Sequence, residues 1–161
     1  MLDLYAGSGA LALEALSRGA RSADLVERSR PAAAAVRRNA AVVAKAGSLT
    51  TARVHETSVR TFLQRGTGPF DLVFTDPPYD LDDAAMDGDL IALTPLLAPD
   101  ALVIIERARR STPPDLRRAN LELLRERSYG DTTIWWAAPP IGDVPEAEPD
   151  DDQPTAESQS R

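Results

Sequence analysis

Segments typical of strands alternate with segments typical of helices from the first residue to residue 106, and this alternation restricts the fold more than any other feature. The strand segments are short apolar runs, whereas the helical segments carry apolar residues at helical spacing and end near glycine or proline. The predicted strands are residues 1–5, 22–27, 49–54, 70–75 and 101–106, and the predicted helices are residues 10–18, 29–46, 58–64 and 87–97. This order predicts a doubly wound, mostly parallel α/β sheet with right-handed crossovers.

The part of the chain after residue 106 departs from this alternation. Residues 120–127 and 132–138 are extended runs separated by Tyr129, Gly130 and Asp131, which predicts an antiparallel hairpin. Residues 139–161 contain five prolines, many acids and almost no large apolar side chains, so we expect a disordered acidic tail. A single domain, residues 1–138, should therefore hold the function.

The predicted strand at residues 70–75 ends on Asp76, Pro77, Pro78 and Tyr79, a segment that we call the lip. A proline fixes its own φ and favours extended backbone in the residue before it, so the lip should be stiff. Ligands of open α/β sheets bind outside the carboxyl ends of the strands. The Asp76 carboxylate and the Pro77 carbonyl could accept hydrogen bonds from an amino group on a flat base, and Tyr79 could stack on a base extruded from folded nucleic acid.

A glycine turn follows the first predicted strand. Gly7 and Gly9 let the backbone approach a ligand closely, and the helix that follows offers free N–H groups. With Ala12 the spacing is G-x-G-x-x-A, and Glu27 ends the second strand, where it could accept hydrogen bonds from two ribose hydroxyls. This pattern fits NAD and S-adenosylmethionine equally. Asp3 favours S-adenosylmethionine because a carboxylate suits a cationic cofactor better than a pyrophosphate, although Asp3 could instead brace the loop as an acceptor.

The composition argues against several classes of site. The 161 residues contain no cysteine and one histidine, His55, so we expect no disulfide, no thiolate catalysis and no metal centre. His55 itself is expected at the surface or at a strand end. No run approaches the roughly 18 apolar residues of a membrane span, and the first residues do not resemble a secretion signal. We therefore expect a cytoplasmic protein without membrane association. We also expect the protein to be a monomer.

The net charge of −7 is concentrated in the predicted tail. Residues 143–161 carry seven acids and one arginine, so residues 1–142 carry only −1. Residues 107–127 contain seven arginines and three acids. This local excess of positive charge could meet the phosphates of nucleic acid or form an ordinary solvated face.

Four parts of the sequence together resemble one known family. The block from Asp3 to Ala20, Glu27, the lip, and the block from Tyr129 to Thr132 occur in the order found in RsmD-type 16S rRNA guanine-N2 methyltransferases, and the match extends over residues 1–138. The resemblance implies the class I methyltransferase sheet with strand order 3-2-1-4-5-7-6 and S-adenosylmethionine as cofactor. It also implies that the substrate is one guanine of 16S rRNA, either free or in an assembling small ribosomal subunit.

The same resemblance implies a role for each matching residue. Asp3 and the loop Ala6, Gly7, Ser8 and Gly9 would hold the methionine part of the cofactor, Glu27 the ribose, Ser58 the adenine amino group, and Asp76, Pro77, Pro78 and Tyr79 the target amine and base. Two departures stand out. Family members carry a basic segment before the first strand, whereas the sequence in hand starts at that strand, and Ser58 stands where they usually have Asp or Asn.

Three alternatives remain open at this point. A related lip could serve an amino group of a DNA base or of a protein glutamine. The glycine turn and Glu27 would also permit an NAD-binding oxidoreductase. Finally, the chain could be a truncated form that is only weakly active.

Overall fold

The computed structural model describes residues 1–45 and 51–141, and in these residues seven strands form one sheet. The strands are β1 (Leu2–Leu4), β2 (Ser22–Glu27), β3 (Thr51–Glu56), β4 (Phe70–Thr75), β5 (Leu97–Ala108), β6 (Glu122–Tyr129) and β7 (Thr132–Ala138). The helices are α1 (Ala10–Ser17), α2 (Arg30–Lys45), α3 (Val59–Gln64) and α4 (Asp83–Leu93), and a 3₁₀ turn (Thr94–Leu96) follows α4.

The strands follow the order 3-2-1-4-5-7-6 across the sheet, which confirms the predicted order. Strands β1 to β5 are parallel where they pair, whereas β7 is antiparallel to both β5 and β6. The register sets Leu4 beside Val26 on β2 and beside Thr75 on β4. The residues that follow these three strands therefore meet at the carboxyl edge of the sheet, where a ligand site is expected.

Two apolar clusters, one on each face, hold the helices on the sheet. Because side chains alternate along a strand, neighbouring residues Leu25 and Val26 of β2 belong to different clusters. The larger cluster packs the sheet against α3 and α4 and includes Leu2, Val26, Phe62, Val73, Leu90 and Ile105. The smaller cluster packs it against α1 and α2 and includes Leu13, Leu16, Leu25 and Val36. Burial of these side chains holds the turns above β1 and β2 at fixed positions.

Helix α4 differs from its predicted bounds of residues 87–97. It begins at Asp83 because the carboxylate of Asp82 caps it, accepting a hydrogen bond from the Ala85 N–H at 2.8 Å. It ends at Leu93, where Pro95 enters the 3₁₀ turn and cannot supply the next helical N–H. Strand β5 then starts at Leu97, so Pro99 does not end the helix but lies where the pairing of β4 and β5 shifts register.

The remaining predictions are met to within a few residues or fall outside the described ranges. The hairpin is present, and β6 extends through Tyr129 so that Gly130 and Asp131 form the turn. The predicted end of the second helix near residue 46 and start of the third strand at residue 49 lie outside the described residues. The tail at residues 139–161 is described only to residue 141, so its disorder and the domain boundary stay predictions. In residues 1–45 and 51–141, no helix is long and apolar enough to cross a membrane.

Candidate functional site

A cleft of about 690 Å³ opens at the carboxyl edge of the sheet. The turns after β1 and β2, the start of α3, and the segment from the lip to α4 form its walls. Seven of the eleven predicted site residues line it, namely Gly7, Glu27, Ser58, Asp76, Pro77, Pro78 and Tyr79. The other four, Asp3, Ala6, Ser8 and Gly9, are not among the lining residues. The structure thus brings the glycine turn and the lip together in one cavity.

Glu27 connects the turns after β1 and β2 through its carboxylate. One oxygen, Oε2, accepts a hydrogen bond from the Gly7 N–H at 2.9 Å, and Oε1 accepts one from the Ser29 N–H at 2.6 Å. A carboxylate can accept about four hydrogen bonds in all. The side chain is therefore held in place by the main chain while retaining capacity to accept bonds from a ligand in the cleft.

Ala6, Ser8 and Gly9 shape the loop rather than line the cleft. The Gly9 N–H donates to the Ala6 carbonyl at 2.7 Å, and the Asn39 side-chain amide donates to the Ser8 carbonyl at 3.1 Å. Gly9 has φ +79°, and a Cβ on it would lie 3.1 Å from side-chain carbons of Leu25 and Val36. A larger residue at this position would be strained by the positive φ, and the Leu25 and Val36 side chains would have to shift to make room for it.

Asp3 lies beneath this loop, and only 2% of it is exposed. Its Oδ2 accepts a hydrogen bond from the Ala12 N–H in the first turn of α1 at 3.3 Å. This contact supports the bracing role, which the sequence left open beside a role in cofactor binding. Burial raises the pKa of Asp3 to about 7, and the charges of Asp76 and Glu27 act in the same direction.

The lip presents two acceptors and a ring. Burial raises the pKa of the Asp76 carboxyl above its usual range. Pro77 is buried, and no backbone N–H of the described residues donates to its carbonyl, whereas the Pro78 carbonyl accepts from the Leu81 N–H at 3.0 Å. Tyr79 is 78% exposed, so its ring is available for stacking.

The segment that follows the lip is anchored by Arg107, at the carboxyl end of β5. The guanidinium of Arg107, a residue only 6% exposed, donates to Oδ1 of Asp83 at 3.1 Å and to the carbonyl of Leu81 at 3.0 Å. This arginine is therefore a structural residue. Its burial means that Arg107 contributes neither to a phosphate-binding surface nor to a solvated face, the two alternatives that the sequence left open for the arginines of residues 107–127.

The cleft is also lined by side chains that the sequence reasoning missed, among them Tyr5, Arg28, Arg60 and Asp89. Tyr5 has φ +66°, a left-handed conformation that is unusual for an aromatic residue, and its hydroxyl donates to Oδ2 of Asp89. Burial raises the pKa of both groups. Asp89 lies on α4 three residues after the buried Met86, so both side chains face the same side of the helix. This spacing predicts an inward-facing acid only when the helix is taken to start before residue 87.

Carboxylates outnumber cations in the walls of the cleft. The acids are Glu27, Asp76, Asp80, Asp82 and Asp89, and the bases are Arg28 and Arg60. The pKa of Glu106, near the lip, is also raised by burial and by the charge of Asp76. A cleft of this charge favours a cationic ligand over one that carries a diphosphate.

Ser58 and His55 both have partners within the protein. The Ser58 hydroxyl caps α3, accepting from the Thr61 N–H at 3.1 Å and donating to the Thr61 hydroxyl at 2.8 Å. His55 lies at the end of β3, as expected, and is partly buried there: its Nε2 lies 2.7 Å from Oδ1 of Asp24, and its ring lies 4.8 Å from that of Phe62. Burial alone would raise the pKa of Asp24, but hydrogen bonds from Arg53 and His55 outweigh it and keep that pKa below its usual range. Within the described ranges, no three His, Asp or Glu side chains are grouped to hold a metal ion.

Comparison with protein families and curated proteins identifies relatives of this chain. The family described as conserved hypothetical protein 95 matches residues 1–138. Ribosomal RNA small subunit methyltransferase D of Escherichia coli K12 is 39% identical over 130 residues, which are 80% of this chain and 63% of that protein. The protein of the same name from Haemophilus influenzae is 32% identical over 80% of this chain and 66% of its own length. The chain thus spans less than two thirds of the length of these relatives.

Solved structures of other proteins share the fold of this chain. A conserved hypothetical protein of Streptococcus pyogenes superposes with a TM-score of 0.75 at 32% identity, over 86% of this chain and 84% of that one. A magnesium protoporphyrin IX methyltransferase from Synechocystis, solved with bound S-adenosylmethionine, gives 0.68 at 18% identity, over 86% and 68% of the two chains. At that identity the likeness concerns the fold alone, which is the class I methyltransferase fold that the sequence predicts. The chain therefore belongs to the family described as conserved hypothetical protein 95, the family of the small-subunit ribosomal RNA methyltransferases that its sequence resembles.

Proposed function

We propose that this protein transfers a methyl group from S-adenosylmethionine to the exocyclic N2 amine of a guanine in 16S rRNA. One observation carries the proposal: the Gly7–Glu27 pair and the lip line the same cleft of about 690 Å³. The names of the curated relatives support small-subunit rRNA as the class of substrate. The protein would act in the cytoplasm as a monomer, on free rRNA or on an assembling small subunit.

The residues around Gly7 fit S-adenosylmethionine. A Cβ on Gly7 would meet only the Tyr5 carbonyl, at 4.0 Å, so the space beside this backbone is open to a ligand. Glu27 retains acceptor capacity for ribose hydroxyls, and Ser58 lies in the cleft wall as a partner for the adenine amino group. The acidic lining favours a cofactor with a sulfonium and an ammonium over NAD, whose diphosphate would face the same carboxylates.

Asp3 and the loop from Ala6 to Gly9 would support the methionine part of the cofactor. Asp3 acts from below, since its carboxyl group accepts a hydrogen bond from the Ala12 N–H and so holds the first turn of α1 under the loop. Ala6 and Gly9 are joined by a backbone hydrogen bond of 2.7 Å that keeps the loop tight. Their contribution is to hold the loop in shape for binding.

The lip would make the guanine amine reactive. When bound, S-adenosylmethionine supplies a methyl group on a positively charged sulfur. The lone pair of the amine is delocalised into the base, so the Asp76 carboxylate and the Pro77 carbonyl would accept its two N–H groups and localise that lone pair on nitrogen. Tyr79 would stack on the base and align the amine, and alignment can supply much of the rate. After transfer the nitrogen loses its extra proton to water, so no side chain is assigned as general base.

The test measures methyl transfer from labelled S-adenosylmethionine to three substrates in parallel. These are unmodified small ribosomal subunits, free 16S rRNA and DNA, and the product nucleoside is identified by mass spectrometry. We expect N2-methylguanosine from one or both ribosomal substrates and no product from DNA. Methylated DNA, methylated glutamine in a ribosomal protein, or no product at all would overturn the proposal.

A further inference from the structure

A second cavity, of about 520 Å³, adjoins the cleft at Tyr79. It is lined by Tyr79, Ala108, Arg109, Arg110 and Asp131, and Tyr79 is the residue that lines both cavities. We call the second cavity the arginine pocket. An RNA strand with one base in the cleft could therefore continue into the arginine pocket by passing over the exposed ring of Tyr79.

The backbone of the arginine pocket is fixed in place. The Arg109 N–H donates to the Asp131 carbonyl at 2.7 Å, which ties the end of β5 to the turn between β6 and β7. The Ser111 N–H donates to the Ala108 carbonyl at 2.8 Å, and Ala108 pairs with Thr132 in the sheet. The two guanidinium groups therefore extend from a preformed base, which lowers the cost of ordering them on a ligand.

Arg109 and Arg110 have no internal partner among the described residues, which distinguishes them from three arginines of β5 and β6, namely Arg107, Arg125 and Arg127. Both are exposed, and within the described part of the chain neither forms an ion pair. By contrast, Arg107 is bonded to Asp83, and the guanidinium groups of Arg125 and Arg127 lie 5.3 Å and 5.0 Å from the ring centres of Trp136 and Tyr129. The Asp131 carboxylate also lines the pocket, so the two arginines leave a net positive charge there.

The charges of the two cavities differ in sign, and this difference indicates the ligand. Phosphates are repelled by the carboxylates of the cleft but attracted by Arg109 and Arg110, whose planar groups can each bind a phosphate through two hydrogen bonds. A guanine turned out of its strand brings its neighbouring phosphates with it. We propose that Arg109 and Arg110 bind the RNA phosphates that flank the target guanine while the base occupies the cleft. This inference rests on the function proposed above.

The test compares a double variant with a matched control. The variant R109A/R110A removes both pocket arginines, and the control R21A/R65A removes two exposed arginines from the opposite edge of the sheet, before β2 and after α3. Circular dichroism checks folding, calorimetry gives the dissociation constant for S-adenosylmethionine, and initial rates at several salt concentrations give kcat and KM for the ribosomal substrate. A third variant, R109K/R110K, keeps the charge but loses the paired hydrogen bonds.

For R109A/R110A we expect KM for the ribosomal substrate to rise roughly tenfold or more, and the slope of log KM against log salt to fall by about two. Its kcat and its affinity for S-adenosylmethionine should stay within about twofold of wild type. R109K/R110K should recover part of the KM, and R21A/R65A should match the wild type.

Two results would overturn the inference while leaving the proposed function standing. In one, R109A/R110A keeps the wild-type KM and salt slope. In the other, R21A/R65A raises KM as much as R109A/R110A does, which would indicate only a general effect of charge. If the wild-type protein methylates no RNA at all, the proposed function fails and this inference fails with it.

Discussion

The two halves of the cleft are held in place in different ways. In the cofactor half, the carboxylates are bonded to the main chain: Glu27 accepts from Gly7 and Ser29, and Asp3 accepts from Ala12. In the lip half, Asp76 makes no hydrogen bond to another described residue, and the backbone is stiffened instead by two prolines. The side chains of the lip are therefore free to bond to a substrate.

This difference separates stability from reactivity. Side chains that already hold backbone N–H groups contribute to folding as well as to binding, so their removal should lower both. A side chain whose partner arrives only with the substrate contributes little to folding, so its removal should lower the rate alone. The four substitutions below test this contrast, from the largest expected effect to the smallest.

Replacing Asp76 with Asn should have the largest effect. The variant keeps the size of the side chain but removes the negative charge that accepts the amine hydrogens, so we expect kcat to fall by about 10²- to 10³-fold. The affinity for S-adenosylmethionine should be unchanged, and the midpoint of thermal unfolding should not fall, because burial already disfavours the charged form of Asp76. Single-turnover methyl transfer measures the rate, and calorimetry measures the unfolding midpoint and the affinity for S-adenosylmethionine. An undiminished rate of methyl transfer would show that Asp76 has no part in the reaction.

Replacing Asp3 with Asn should change how stability depends on pH. Burial raises the pKa of folded Asp3 to about 7 from its ordinary 3.8, so the native state holds this proton more tightly than the unfolded chain does. The stabilisation is complete below about pH 4 and is lost as the pH rises through about 7. Relative to D3N, wild type should lose on the order of 3 kcal/mol of unfolding free energy over that range. Urea unfolding at pH 4, 6 and 8 measures it, and parallel pH curves for the two proteins would contradict the pKa assignment.

Replacing Glu27 with Gln should weaken both binding and folding. A glutamine has one acceptor where Glu27 uses two, so either the Gly7 or the Ser29 N–H loses its partner, at a cost of about 1–2 kcal/mol of stability. Binding of S-adenosylmethionine should weaken about tenfold or more. Glu56→Gln, at the matching end of β3, is the control because its carboxylate pairs with exposed Arg37 outside the cleft. If E27Q lost affinity without losing stability, Glu27 would contribute to binding alone, which would contradict the contrast between the two halves.

Replacing Ser58 with Ala should have the smallest effect. The variant loses the cap of α3, which costs about 1 kcal/mol of unfolding free energy. The affinity for S-adenosylmethionine should fall a few-fold at most, because the Ser58 hydroxyl oxygen that would bind adenine already forms two hydrogen bonds with Thr61. Ser58→Asp tests the point further, since it restores the acidic side chain and keeps the cap. An S58D variant that binds S-adenosylmethionine more tightly than wild type would support the adenine contact.

Features that depend on neighbouring residues could be predicted from the sequence. The alternation of strands and helices, the glycine turn and the two prolines of the lip act through local backbone preferences. They were sufficient to indicate a doubly wound sheet and to place Glu27 and Asp76 at the same edge. The full strand order came from the resemblance to a family, because pairing of distant strands has no local signal.

Features that depend on contacts across the chain could not be predicted in this way. The hydrogen bond from Tyr5 to Asp89 joins residues 84 positions apart, and Arg107 becomes buried only because the segment after the lip folds back over it. The contact of His55 with Asp24 could not be predicted for the same reason, since Asp24 lies on a neighbouring strand. The start of α4 was missed for a local reason, because several acids precede it and only one of them caps it.

The contact of Arg107 with Leu81 and Asp83 has a consequence for the lifetime of the lip. β5 pairs with β4 on one side and β7 on the other, so its end cannot move far without opening the middle of the sheet. A surface segment tied to such a strand should open as rarely as the strand does, not as often as an ordinary loop. The amide of Leu81, which donates to the Pro78 carbonyl, should therefore exchange with solvent deuterium nearly as slowly as amides of the central strands.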